Sequence, residues 1–225
     1  MNAATTFRLR KDMTPVKLRL SALLVLTLLA GCGRKGEIED GGVYTVRSAC
    51  PQVAIPAETG DITLFNPADA KTASAIDIEA TITNVRASCQ DSTADVISTA
   101  TFDVVANRRD ASSARQVVLP YFDVALQAGN RVVAKHVGAV SLHFPAGAAR
   151  AQTSGQATVR IARSAATLPD SVRQTLNKPR KAGEEEAAID PLSDPAVRDA
   201  VANASFQHLI GFELTQEQLR YNATR

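Results

Sequence analysis

The stretch Ala75–Ile82, "AIDIEATI", places Ile76, Ile78, Ala80 and Ile82 on one side of an extended chain and Asp77, Glu79 and Thr81 on the other. A helix would wrap these isoleucines around its circumference. Alternation with a period of two instead makes a strand with one dry face and one wet face. The apolar phase then slips to Val85, Ala87 and Cys89, which predicts a bulge or bend at Thr83 and Asn84.

The same pattern recurs downstream. "ADVISTATFDVVANRRD", Ala94–Asp110, puts Val96, Ala100, Phe102, Val104 and Ala106 on one face and ends in a polar turn, where Arg108, Arg109 and Asp110 are expected in solvent, with an anionic ligand site as the alternative. "RQVVLPYFDVALQAGNRVVAKHVGAVSLHF", Arg115–Phe144, reads as two strands joined at "QAGN", because Gly129 and Asn130 accept the positive φ that a hairpin turn needs. "GQATVRIA", Gly155–Ala162, directs Val159 and Ile161 inward and Arg160 outward, and earlier strands are expected at Val43–Arg47 and Asp61–Phe65. About seven short strands over residues 43–163 predict a mainly β fold, an antiparallel immunoglobulin-like β-sandwich, with a small closed barrel as the alternative. The chain has no Trp, so the Cys–Trp–Cys core of antibody domains is absent, and at 4% aromatics the core is aliphatic.

From Ser164 the composition changes to prolines and charges, and residues 164–194 read as a linker with room for one short helix. Residues 195–225 read as a C-terminal helical docking segment. Asp194 and Pro195 suit an N-cap and first turn, with Val197, Val201 and Ala204 on one helical face. Thr215 and Gln218 match a capping box with Leu214 and Leu219 as its staple, so a helix starts near Gln216. Phe206, Leu209, Ile210, Phe212, Leu214, Leu219 and Tyr221 then form an apolar set beyond a linker. That set either folds back on its own sandwich or docks on another protein or a membrane.

The N-terminal region is of another kind. Arg8, Arg10, Lys11, Lys17 and Arg19 precede the apolar run "LSALLVLTLL", Leu20–Leu29. At roughly ten residues this run is about half the length a membrane-crossing helix needs, and it reads as a Sec-type signal peptide, residues 1–31, with Met1 or Met13 as the start. Leu29, Ala30, Gly31 and Cys32 form "L-A-G-C", which resembles the lipobox of bacterial prolipoproteins. The resemblance implies cleavage between Gly31 and Cys32, a diacylglycerol on the Cys32 thiol and an acylated (palmitate-type) amino group. Two or three acyl chains hold a protein firmly to a membrane where one holds it marginally. Gly33 stands where well-studied enterobacterial lipoproteins retained in the inner membrane carry Asp, so the resemblance implies an outer-membrane anchor facing the periplasm. Residues 32–42 would be a lipidated tether, and ten extended residues span at most ~35 Å.

With Cys32 lipidated, Cys50 and Cys89 remain, and an even pair in an exported chain is expected to form a disulfide. A metal site would ask for more Cys or His nearby, and a redox pair is more often Cys-x-x-Cys.

Five of the 25 Lys and Arg and one of the 23 Asp and Glu precede Cys32, which leaves a mature chain at 20 basic and 22 acidic residues, a charge of −2. Such a chain has no electrostatic footprint for nucleic acid. No G-x-S-x-G, H-E-x-x-H, Walker or dinucleotide motif occurs, so no catalytic residue, metal or cofactor is expected. His136 and His143 are seven apart, which sends them to opposite faces of a strand, and His208 reads as a helix-surface or contact residue. Glu184–Glu186 is a solvating run, and the tripeptides at Asn203 and Asn222 match glycosylation sites only by accident in a bacterial chain. The expected function is a non-enzymatic binding or scaffolding lipoprotein with an envelope protein partner; a small-ligand or cell-wall binder is the alternative.

Overall fold

A computed structural model describes residues 48–178 and 189–224. Gly31, Cys32, the signal and tether regions and the expected strand at Val43–Arg47 lie outside the described residues. Among those described, strands β1 (Gln52–Ala54), β2 (Asp61–Phe65), β3 (Ile76–Asp91), β4 (Asp95–Arg108), β5 (Arg115–Gln127), β6 (Arg131–Phe144), β7 (Arg150–Ala162) and β8 (Phe206–Phe212) form two four-stranded sheets. One has the order β2-β3-β4-β7 and is antiparallel throughout. The other has the order β1-β8-β5-β6 and is antiparallel except where the short β1 runs parallel to β8. The chain changes sheet between β4 and β5, returns so that β7 lies beside β4, and changes again so that β8 lies beside β5. This is an antiparallel β-sandwich. The immunoglobulin-like label is finer than the two-sheet architecture carries: the Cys50–Cys89 bridge sits at the periphery, its Cys89 exposed, rather than at the centre of the sheets.

The alternation read from the sequence is what the sandwich buries. Ile78, Ala80 and Ile82 of β3 and Ala100, Phe102, Val104 and Ala106 of β4 are buried, and they meet Leu119, Tyr121, Leu142, Phe144, Ile210 and Phe212 from the other sheet, while the buried Val96 belongs to a smaller cluster with Ile161, Ala166 and Phe206. Phe102 and Tyr121 pack edge to face across the gap with ring centroids 5.1 Å apart. The β3–β4 register shifts between Thr83 and Arg86, with Asn84 at φ 51°, so the bulge falls where the apolar phase slips.

At the β5–β6 hairpin the left-handed residues are Ala128 (φ 56°) and Gly129 (φ 80°), a correction to the expected Gly129 and Asn130. An alanine there is strained by roughly 1 kcal/mol because its Cβ crowds the carbonyl. Ala128→Gly is therefore expected to stabilise the protein by about 0.5–1 kcal/mol in denaturant titration; a loss of stability would contradict the strain.

The largest correction concerns residues 195–225, which are not a separate helical docking segment. After helix α1 (Asp170–Asn177) comes α2 (Pro195–Asn203), capped by Asp194, whose carboxylate accepts from the Ala196 amide at 2.8 Å; Val197 and Val201 are buried. The chain then enters β8, an inner strand of its sheet, between β1 and β5. Helix α3 (Gln216–Thr224) closes the chain with the expected reciprocal capping box between Thr215 and Gln218. The sandwich thus draws on both sides of the linker and is not confined to residues 43–163.

Candidate functional site

The seven apolar residues proposed for docking are divided by the fold. Phe206, Ile210 and Phe212 are buried, the last two fully, on the inner face of β8. Leu209 and Leu214 are partly buried, and Tyr221 of α3 packs edge to face on Phe65 of β2 at 5.1 Å. Leu219 keeps 41% of its surface exposed. Asn222 fixes the helix further: its side-chain amide donates to the carbonyls of Glu58 and Asp61, both at 2.8 Å, from a position 6% exposed. The segment folds back on its own sandwich, so its apolar face is spent internally.

What the sequence reading missed is a polar cluster sealed between the sheets. His208 follows Phe206 in the inward register of β8, is fully buried, and its Nδ1 lies 3.0 Å from the hydroxyl of buried Ser98 on β4. Asp123, inward on β5 and 2% exposed, accepts the Thr158 amide of β7 on Oδ2 at 3.1 Å. Its Oδ1 faces the exposed His136 of β6 at 3.5 Å, an ion-pair distance without a hydrogen bond. Oδ1 of Asp123 and Nε2 of His208 are both buried without a hydrogen-bond partner. His208 is therefore a core strand residue and not a helix-surface one.

Serine, histidine and aspartate are the residue types of a nucleophilic triad, but here the Asp123 carboxylate makes no hydrogen bond to the His208 ring. Ser98 is 1% exposed, so its Oγ is out of reach of a substrate in this arrangement. The Ser98–His208 bond instead ties β4 to β8 across the sandwich. Burial pushes the His208 imidazole below its ordinary value, with the Asp123 carboxylate working in the opposite direction. The unfolded chain takes up this proton near pH 6.5, whereas the folded chain resists it to lower pH. Stability is accordingly full above about pH 6.5 and falls as the pH drops below it, by up to about 1.4 kcal/mol per pH unit. Denaturant titration at pH 7.5 and 5.5 should find the wild type losing more stability than His208→Gln, by at most about 1.4 kcal/mol; equal losses would remove His208 from the pH dependence.

Arg108 corrects a second expectation. It occupies the inward position after Ala106 in β4, is 5% exposed, and does not lie in solvent. Its guanidinium donates to the carbonyls of Ala148 (2.9 Å), Ser113 (2.7 Å), Ala111 (3.3 Å) and Pro145 (2.8 Å) and lies 5.0 Å from the Phe144 ring centroid. It holds two loops at one end of the sandwich.

Among the described residues, a valine-lined strand edge and a polar hollow lie open at the surface. On the β5–β6 hairpin, Val118 (59%), Val132 (57%), Val133 (45%) and Val137 (50%) are exposed, and among the described residues β6 is an edge strand paired only with β5. On the outer face of the other sheet a hollow of about 440 Å³ is lined by Asp61, Glu79, Thr81, Asn107 and Arg150 among others, without an aromatic side chain. Among the described residues no cluster of His, Cys, Asp and Glu could hold a metal ion, and no helix is long and apolar enough to cross a membrane.

The class that fold and site define is an antiparallel β-sandwich with a peripheral Cys50–Cys89 disulfide and a sealed Ser–His–Asp cluster. No family model, curated protein or solved structure matches the chain.

Proposed function

We propose that the protein is a lipid-anchored lipoprotein of the outer membrane, facing the periplasm, whose β-sandwich is a non-enzymatic binding or scaffolding module for an envelope complex. The observation that carries the reading is the "L-A-G-C" sequence at Leu29–Cys32 behind a basic and then apolar leader. The Cys50–Cys89 disulfide suits an oxidising compartment. The exposed valines along the β6 edge offer a partner the apolar and backbone contacts of strand addition.

Metabolic labelling with an alkynyl fatty acid, followed by mass spectrometry of the first mature peptide, tests the anchor. The expected result is a diacylglyceryl-modified Cys32 in the outer-membrane fraction and loss of label in Cys32→Ala. An unmodified N-terminus in the wild type would overturn it. Photo-crosslinkers at Val133 and Val137 should capture one reproducible envelope protein; crosslinks confined to the chain itself would remove the scaffold role. The polar hollow supports a second reading, a small-ligand or cell-wall binder, for which Arg150→Ala should abolish retention on purified cell wall.

A further inference from the structure

We infer that the Cys50–Cys89 disulfide is a redox-released latch that holds strand β1 on the edge of its sheet. β1 is three residues long and, among the described residues, pairs with β8 alone and makes the one parallel pairing. Three residues of pairing do not hold a strand by themselves. Val53 and Ile55 add partly buried contacts to the main core. The remaining attachment comes from the segment just before the strand, where Ala49 and Cys50 pack on a small cluster of Val96, Ile161, Ala166 and Phe206 that is separate from the main core. Cys50 is bonded there to Cys89 on β3, in the opposite sheet, with Cα atoms 6.0 Å apart.

The latch is placed for chemical access. Cys89 lies in the half of β3 beyond the Thr83–Arg86 bulge, where the strand is exposed on both faces. A dithiol reductant attacks one sulfur as thiolate, forms a mixed disulfide, and closes its own disulfide in the second step. The Cys50–Cys89 bond breaks, the dithiol is oxidised, and two electrons and two protons pass to the two cysteine thiols. With the bridge open, the β1 segment regains its chain entropy against a three-residue ladder, and it leaves the sheet. The backbone edge of β8 and one side of Phe206 are then uncovered. β8 itself stays in place, because its pairing with β5 covers Phe206–Phe212 and the Phe212 amide donates to the Thr59 carbonyl at 2.8 Å.

Amide exchange measured by NMR on the intact protein, before and after reduction with dithiothreitol, tests the latch. The two sets of amides compared are those of the β1–β8 pairing, within Gln52–Ala54 and Gln207–Leu209, and those of Val117–Tyr121 in β5. With the bridge closed the two sets should exchange at comparable rates. After reduction the β1–β8 set should exchange roughly 10-fold or more faster than the β5 set, as local opening requires. If both sets accelerate together, through global destabilisation or unfolding, the latch is overturned. It is equally overturned if the β1–β8 set already exchanges faster by that factor with the bridge intact. Cys89→Ser should reproduce the reduced pattern without any reductant.

Discussion

Arg108→Ala should lower stability by about 3–4 kcal/mol, the cost of removing a buried guanidinium that donates to four carbonyls, of which those of Ala111 and Pro145 keep the backbone amides of Gly147 and Ala148 as donors. For a domain of this size that is a fall of about 10 °C in Tm. The carbonyls belong to Ala111 and Ser113 on one side and Pro145 and Ala148 on the other, so the loss should loosen both connections at that end of the sandwich. Arg108→Lys keeps the charge but offers one compact ammonium in place of a planar fork, and it should recover less than half of the loss. Urea titration with an unchanged m-value checks both variants; an Arg108→Ala cost below about 1 kcal/mol would show that water replaces the guanidinium.

Gly155→Val should cost about 3 kcal/mol or more, because the core has no space where its side chain would stand. Gly155 pairs directly with Phe102 across β7 and β4, and the Phe102 ring lies over it. A Cβ at this position would sit 2.4 Å from Phe102 Cζ and 3.0 Å from Val140 Cγ1. The ring cannot swing aside freely, since it is 2% exposed and set edge-on against Tyr121. Tyr121 is itself fixed by the hydrogen bond from its hydroxyl to the Gln156 carbonyl at 2.8 Å. Gly155→Ala should already cost about 2 kcal/mol, and Phe102→Leu in the same chain should restore part of it. Strictly additive losses in that double mutant would mean that the clash is relieved elsewhere.

Three features hid from linear reading for one reason: in each, a polar residue occupies an inward position. In "FQHLIGF" the period-two alternation of Phe206, Ile210 and Phe212 is interrupted by His208, and the segment falls within residues 195–225, which read as helical. In β4 the same alternation runs on past Ala106 to Arg108, and a charged side chain at a strand end ordinarily signals a solvated turn. Asp123 sits between Tyr121 and Ala125 in the inward register of β5. Each becomes legible only when its partners are known, and most of those lie 35 to 110 residues away, as in the Asp123–Thr158 and Ser98–His208 bonds. A buried polar group is stable only when it is paired, and pairing across sheets leaves no periodic trace in the sequence.

Side-chain alternation along the chain specifies β2 to β7, and local signals give the β3 bulge, the Asp194 and Thr215 caps and the Cys50–Cys89 pairing, whereas the short β1 and the strand character of Phe206–Phe212 leave no such mark. The features so marked follow from local geometry, from side-chain alternation, or from pairing the two cysteines other than Cys32. Tertiary structure alone decided that Phe206–Phe212 is an inner strand, that Arg108 clamps two loops, and that His208 ties the sheets together. Those outcomes depend on which distant backbone edge and which buried acceptor a residue meets, and only the packed chain brings them within hydrogen-bond reach.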